Sequence, residues 1–252
     1  MAEVAALLRL KPVELSRILA VAPPLPLARS AGPDDAARIV EGLGAMGIET
    51  VIIPNDDLCL DLPAKKIRAV EFRDDSLTGF ATASDAQVSL AWDEITLVVT
   101  GRLLSNRLEV EERQRRGRKH TVDSRQLSAD ESALDLYTKT QAGNYRILAG
   151  SFDFSCLGPA KSVTTFQNFA VLVNLLRERA PNARFDDAYT RIRSMLEIVW
   201  PLEAQVKTGD RVRRAAGKFD TTTVTATDNE AQFTRYSRMR QCLRLGELEN
   251  LK

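Results

Sequence analysis

The run SNRLEVEERQRRGRKHTVDSRQLSADES, at positions 105–132, is dominated by polar and charged residues, yet only Leu104 separates it from VSLAWDEITLVVTGRL, the strongest hydrophobic stretch in its half of the chain. A connection that long far exceeds the usual loop of about 4–6 residues. It is either an insertion with local disorder or a two-stranded excursion from a sheet. Everything around it reads as strand. In KKIRAVEFRDDSLTGFAT, apolar and polar residues alternate, Asp74-Asp75-Ser76 marks a turn, and residues 77–82 return as the second strand of a hairpin. Val88, Leu90 and Trp92 share a strand face, Asp93 and Glu94 interrupt the run, and residues 95–100 form a further strand. Strand signal resumes at 133–137 and again at 145–154, with a hairpin around Gln141-Ala142-Gly143-Asn144.

Helical periodicity takes over after residue 160. Phe166, Phe169, Leu172, Val173, Leu175 and Leu176 make a broad apolar face that Pro181 ends. Phe185, Tyr189, Ile192, Leu196 and Val199 define a second helix, ended by Pro201. KTGDRVRRAAGKFDTTTVTATDNEAQF, poor in large apolar residues, is expected to be mobile or an extended arm, followed by a terminal helix with Phe233, Tyr236, Met239 and Leu243 on one face.

Toward the N-terminus, residues 12–19 predict a short helix. VAPPLPLARS is expected to be extended, because each proline restricts the residue before it. Pro33-Asp34-Asp35 opens a helix whose apolar stripe runs through Ile39, Val40, Leu43 and Met46 to a cap at Gly47. IETVIIP then reads as a strand, so the order is strand, helix, strand. Through Arg29, Asp34, Asp35, Gly47 and the β-branched stretch 51–53, this segment resembles the C-terminal domain of ribosomal protein L7/L12. That resemblance implies a small α/β sandwich, although the lysine-rich helix face that binds factors in that family is lacking. Residues 65–180, with successive hairpins and a Trp92-Asp93-Glu94-Ile95 junction, resemble the bacterial pleckstrin-homology-like barrels, which implies that Trp92 packs in a core.

The expected fold is therefore α+β: a small α/β domain at 1–62, a β-rich barrel or half-barrel with closing helices at 63–204, and the arm with its terminal helix at 205–252. The 252-residue chain carries 35 Lys and Arg against 34 Asp and Glu, so its net charge alone names no nucleic-acid or acidic partner. Cys59, Cys156 and Cys242 are few and far apart, which fits neither a disulfide framework nor a thiolate zinc site. Reduced thiols, an acidic residue at Glu3 where a basic leader would begin, and apolar runs too short or too proline-broken to span a bilayer point to a cytoplasmic protein.

Catalytic signatures are sparse. His120 is the sole histidine and sits in the polar run; as a solvated residue it needs no role, and a triad would require it to be rigidly oriented. Cys156 in SFDFSCLGPAKS is a candidate nucleophile only if a helix start or a base lowers its pKa; otherwise it is a structural thiol at a strand end. The adjacent acidic pairs Asp56-Asp57, Asp74-Asp75, Asp93-Glu94 and Asp186-Asp187 read as turns and caps, and Asp153 with Lys161 is the one pairing that favours a metal-dependent hydrolase or nuclease. GLGAMG at 42–47 falls at a helix end instead of between a strand and a helix start, so it is no dinucleotide fingerprint. No cofactor is expected.

The sharpest charge feature is Arg113, Arg115, Arg116, Arg118 and Lys119, candidate contacts for phosphates or an anionic surface, or else a solvated loop. Lys207, Arg211, Arg213, Arg214 and Lys218 form a second basic set. Phe233, Tyr236 and Met239, together with the proline-rich segment around Leu25, are candidate contacts for a protein partner or a second copy of the chain. The expectation is a non-enzymatic interaction or scaffold protein. An anion-binding module and a hydrolase with dispersed carboxylates are the alternatives.

Overall fold

The computed structural model describes residues 2–8, 10–21, 23–81, 87–115, 118–139, 144–202, 204–208, 212–215 and 218–249; within these, 2–4, 19, 111–115, 118–123, 207–208, 212–215, 218–222 and 247–249 are described by backbone alone. Three helices come first: α1 (Ala2–Leu7), α2 (Pro12–Leu19) and α3 (Pro33–Ala45). Pro12 and Pro33 sit at helix starts, where a missing N–H costs nothing. Ala5, Leu8, Leu15 and Leu43 form their shared apolar cluster.

Strands were expected on either side of α3, but the structure gives extended, unpaired chain there, so the N-terminal part is helical instead of a small α/β unit. The reason is pairing. Val51 and Ile52 have strand-forming side chains, but among the described residues no neighbouring strand covers them, and they stay 67% and 51% exposed. Pro23, Pro24 and Pro26 remove backbone donors from the other flank. Val21, Leu25 and Ile53 pack instead against the main body.

That body has two sheets. β1 (Lys65–Ile67) and β2 (Ala69–Phe72) are one run of chain that changes sheets at Arg68, whose N–H donates to the Phe80 carbonyl at 2.9 Å and whose carbonyl accepts from Asp153 N at 2.7 Å. β2 joins β3 (Ser76–Phe80) and β4 (Gln87–Ala91) in a three-stranded antiparallel sheet. β1 runs parallel to β7 (Asn144–Leu148), which pairs with β6 (Arg118–Thr138) and through it with β5 (Ile95–Arg115). A 3-10 turn at Trp92–Glu94 carries the chain from β4 into β5, and buried Trp92 donates its indole N–H to the Arg73 carbonyl at 3.0 Å. Among the described residues no ladder joins β4 back to the larger sheet, so the two sheets do not close into a barrel.

Period-two alternation sorts the larger sheet's side chains onto two faces. Val98, Leu134, Leu136 and Ile147 face the space between the sheets, which α4 (Thr165–Arg179) fills with Phe169, Leu172 and Leu176. The Thr164 hydroxyl caps that helix by accepting from Gln167 N. Leu97, Val99, Ala133 and Tyr137 face the other way, toward α5 (Tyr189–Leu196) and α6 (Glu230–Glu249). Between α4 and α5, β8 (Arg184–Asp186) adds a parallel strand to β5. The fold is α+β, with an N-terminal helical region, a multi-stranded sheet and C-terminal helices.

In the stretch at 205–252, expected to be a mobile or extended arm, the described residues form β9 (Ala204–Thr208), β10 (Val212–Ala215), β11 (Lys218–Asp228) and α6. Its terminal helix is the expected one, but Phe233, Tyr236 and Met239 are buried in this chain's own core. They are therefore not an exposed partner contact. The apolar face of α6 is covered by β5, β6 and α5, and Leu25 is likewise turned onto the body.

Candidate functional site

β5 and β6 are each 21 residues long, yet among the residues whose side chains are described only their inner thirds carry core residues. Beyond residue 104 on β5 and before 131 on β6 the two strands continue as a ribbon. At about 3.4 Å per residue, the eleven steps from Leu104 to Arg115 reach about 35 Å. The described side chains of this outer part are exposed or half-exposed, Leu108 and Leu127 among them. Sequence explains why it is strand and not loop: polar residues occupy both faces, Val110 and Thr121 favour extended backbone, and the ladder pairs the two strands without a core, apart from a register shift at Glu111/Glu112. Ser128 Oγ and Asn106 Oδ1 bond across it at 2.8 Å, and Arg102 meets Asp130 at 2.9 Å near its base.

The threonine-rich β11 lies antiparallel along β5 from Asp228 opposite Ser105 to Phe219 opposite Gln114. β9 and β10 pair with its other edge. Asn229 fixes the point where this third strand departs. Its buried amide accepts from Leu104 N at 2.7 Å and donates to the Arg102 carbonyl at 3.1 Å, while its own carbonyl accepts from Phe233 N as α6 begins.

At the far end, Arg113 is opposite His120, Gln114 opposite Lys119, and Arg115 opposite Arg118. The sequence-predicted anion contacts Arg113, Arg115, Arg118 and Lys119 therefore occupy the ribbon's last rungs, while Arg116 lies outside the described residues. Of the second basic set, Arg213 and Lys218 sit on β10 and β11, where Arg213 is opposite Phe219; Arg214 is on β10, Lys207 is on β9, and Arg211 lies outside the described residues. The structure brings together two basic segments that sequence reading treated separately. The signal that would have found this is KFDTTTVTATD, a strand by its β-branched residues despite its low hydrophobicity.

The catalytic candidates are not brought together. His120 sits at the ribbon end, remote in the fold from the strand end that carries Asp153 and Cys156. Asp153 caps a 3-10 turn, accepting from Ser155 N at 2.9 Å and from Ser155 Oγ at 2.6 Å, and these bonds hold its carboxyl below the usual range. Burial, reinforced by the charge of Asp153, pushes the Cys156 thiol up to about 11, so at neutral pH it is not the thiolate a nucleophile needs. Asp186 is committed to Tyr236, Arg240 and the Ala188 N–H, while its neighbour Asp187 faces solvent and pairs with Arg191. Among the described residues no group of three His, Cys, Asp or Glu is placed to hold a metal ion, and no helix is long and apolar enough to cross a membrane.

One open groove of about 440 Å³ runs between α4, β5 and α5. Arg102 stands over the exposed Phe166 ring at 5.6 Å and Arg177 over Phe185 at 5.0 Å, so its walls are cations resting on aromatic faces. Comparison with family models, with curated proteins and with solved structures finds no match to this chain.

Proposed function

We propose that this is a non-enzymatic interaction protein, a subunit of a larger assembly, and that its contact element is the projecting ribbon of β5, β6 and β11. One observation carries the reading: a sheet extension of about 35 Å whose described side chains contribute nothing to any core cluster. Ordering that many residues costs about 1–2 kcal/mol each in backbone entropy, with no burial to offset it. Such an element is retained for what it touches. The resemblance of residues 65–180 to pleckstrin-homology-like domains belongs to the same reading, since two sheets linked by a bent strand and covered by α4 are consistent with a binding fold. Self-association through the ribbon is one form the assembly takes in this reading.

A second reading, an anionic-surface-binding module, is favoured by the basic rungs at the ribbon end. The test is a variant in which Asn-Gly turns replace residues 106–128 and 205–226, segments that contain no buried residue among those described. Full-length protein purified from native extract at low salt is expected to carry a stoichiometric partner. The shortened protein is expected to unfold as cooperatively as the parent and to lose that partner. Retention of the partner by the shortened form, or a bare full-length protein, contradicts the proposal.

A further inference from the structure

Spacing along the sequence gives no hint that any two cysteines meet, yet the fold brings Cys59 and Cys242 to one turn. After the N-terminal helices the chain runs extended through Ile53 and makes a 3-10 turn at Asp56–Leu58, ahead of β1. Cys59 ends that turn. Its N–H donates to the Asp56 carbonyl at 3.0 Å, and its thiol donates to the same carbonyl at 3.4 Å. The next carbonyl, that of Asp57, accepts at 3.4 Å from the thiol of Cys242 on α6. Adjacent carbonyls of one tight turn therefore hold the two sulfurs. One helical turn back on the same face of α6, Arg238 donates to the Leu62 carbonyl at 2.9 Å. α6 thus grips the chain on both sides of Cys59, at Asp57 and at Leu62.

Three further observations set this pair apart. Among the described residues Cys59 is the one non-glycine with positive φ, at 47°, a left-handed backbone that a Cβ disfavours. Arg238 is 6% exposed, and its Nε has no hydrogen-bond partner among the described residues, so a buried cation stands beside the thiols. Burial, then the charges of Asp57 and Cys59, push the Cys242 thiol up to about 11, while Arg238 works the other way; the two thiols are close enough to feel each other's charge. Such a thiol is slow toward an outside reagent, but it can resolve a bond formed on a neighbouring sulfur. A thiolate metal site would need more ligands, and no group of three His, Cys, Asp or Glu among the described residues is placed to supply them.

We propose that Cys59 and Cys242 form a reversible disulfide that staples the chain between the N-terminal helices and the sheets onto α6. The oxidant is a small-molecule disulfide such as oxidised glutathione, and both thiols are half-buried, within its reach. The Cys59 thiolate attacks one sulfur of that disulfide and displaces a thiolate; the Cys242 thiolate then attacks the Cys59 sulfur and displaces the second. One S–S bond forms for the one that breaks. The protein thiols lose two electrons to the small disulfide, and their protons pass through water to the two released thiolates. Excess reduced thiol reverses both steps. The staple leaves the ribbon untouched, so it holds or fails independently of the ribbon's contact role.

The test incubates the folded, reduced, full-length chain in glutathione buffers of rising oxidised fraction, then alkylates it and maps its peptides. The expected result is an intrachain Cys59–Cys242 cross-link with Cys156 alkylated, released by dithiothreitol. Because the bond closes a long loop, the thermal midpoint is expected to rise by about 5 °C or more on oxidation. Cys156→Ser is expected to keep the cross-link and the rise, and Cys59→Ser and Cys242→Ser are each expected to lose both. Alkylation of both thiols after oxidation of the folded chain overturns the proposal. So does a cross-link that involves Cys156 or a second chain, one that appears only after unfolding in denaturant, or one that leaves the thermal midpoint unraised.

Discussion

Replacing Arg146 by Met is expected to lower stability by about 3–5 kcal/mol, read as a drop in the urea midpoint at unchanged slope. Arg146 and Asp135 are opposite each other on β7 and β6, on the sheet face that α6 covers. Both side chains are almost fully buried, at 3% and 0% exposure, and they meet through two parallel bonds of 2.7 and 2.8 Å. The remaining guanidinium donors reach α6, at Glu230 Oε1 (3.1 Å) and Thr234 Oγ1 (3.0 Å), and the cation rests 5.1 Å from the Phe233 ring centroid. Methionine fills much of the same space but leaves the Asp135 carboxylate buried without its partner. The cost is that of an uncompensated charge, larger than the net worth of the pair. Replacing both, Asp135→Leu with Arg146→Met, is therefore expected to recover most of the loss. A single variant within about 1 kcal/mol of the parent contradicts this placement of α6, given total stabilities of about 5–15 kcal/mol.

Phe233→Ala is expected to cost a further class of stability, about 3–5 kcal/mol, because a fully buried aromatic leaves a cavity that its rigid neighbours cannot fill. The neighbours are specific. Tyr189 meets Phe233 edge-on at 5.0 Å, and Gly101 on β5 lies directly beneath both rings. A Cβ at position 101 would come within 2.6 Å of Phe233 and 2.7 Å of Tyr189, so Gly101→Ala alone is expected to destabilise by about 1–3 kcal/mol through overpacking. In the Phe233→Ala background that cost is expected to shrink, since the Tyr189 ring gains room to move. Thermal unfolding of the two single variants and the double variant measures the coupling. Strict additivity contradicts direct packing of α6 on Gly101.

Much of this architecture was legible from pattern alone. The hairpin at Asp74–Ser76, the break at Asp93-Glu94 after a core tryptophan, and two helices after residue 160 follow from period-two and helical spacing, but Phe166, read as part of the first helix's apolar face, is exposed, and Phe185, read as part of the second helix, lies on β8. The strands flanking α3 were misread because β propensity at 51–53 is necessary but not sufficient: a strand needs an edge to pair with, and pairing is not a local property. The ribbon was ambiguous for the opposite reason. An extended element without a core leaves no hydrophobic periodicity, so its sequence looks like a loop. Phe233, Tyr236 and Met239 were correctly placed on one helix face, but sequence does not say whether that face meets its own sheet or another molecule. The Asp135–Arg146 pair was missed altogether, since alternation marks both positions as facing one side of a strand without saying that α6 covers that side. The meeting of the two basic segments depends on β11 pairing with β5, a contact between distant parts of the chain.

That pairing builds the three-stranded ribbon on which the functional reading rests, and one measurement tests it directly. Gln114 and Phe219 are partners across β5 and β11, so their Cα atoms lie within the about 4.4–6.8 Å that a disulfide spans. In the variant Gln114→Cys with Phe219→Cys, mild oxidation followed by peptide mapping is predicted to give one cross-link joining the two hairpin ends within a single chain. Both new thiols remaining free to alkylation, with no such cross-link, would contradict the account: β11 would then not lie along β5, and the three-stranded ribbon proposed as the contact element would not exist.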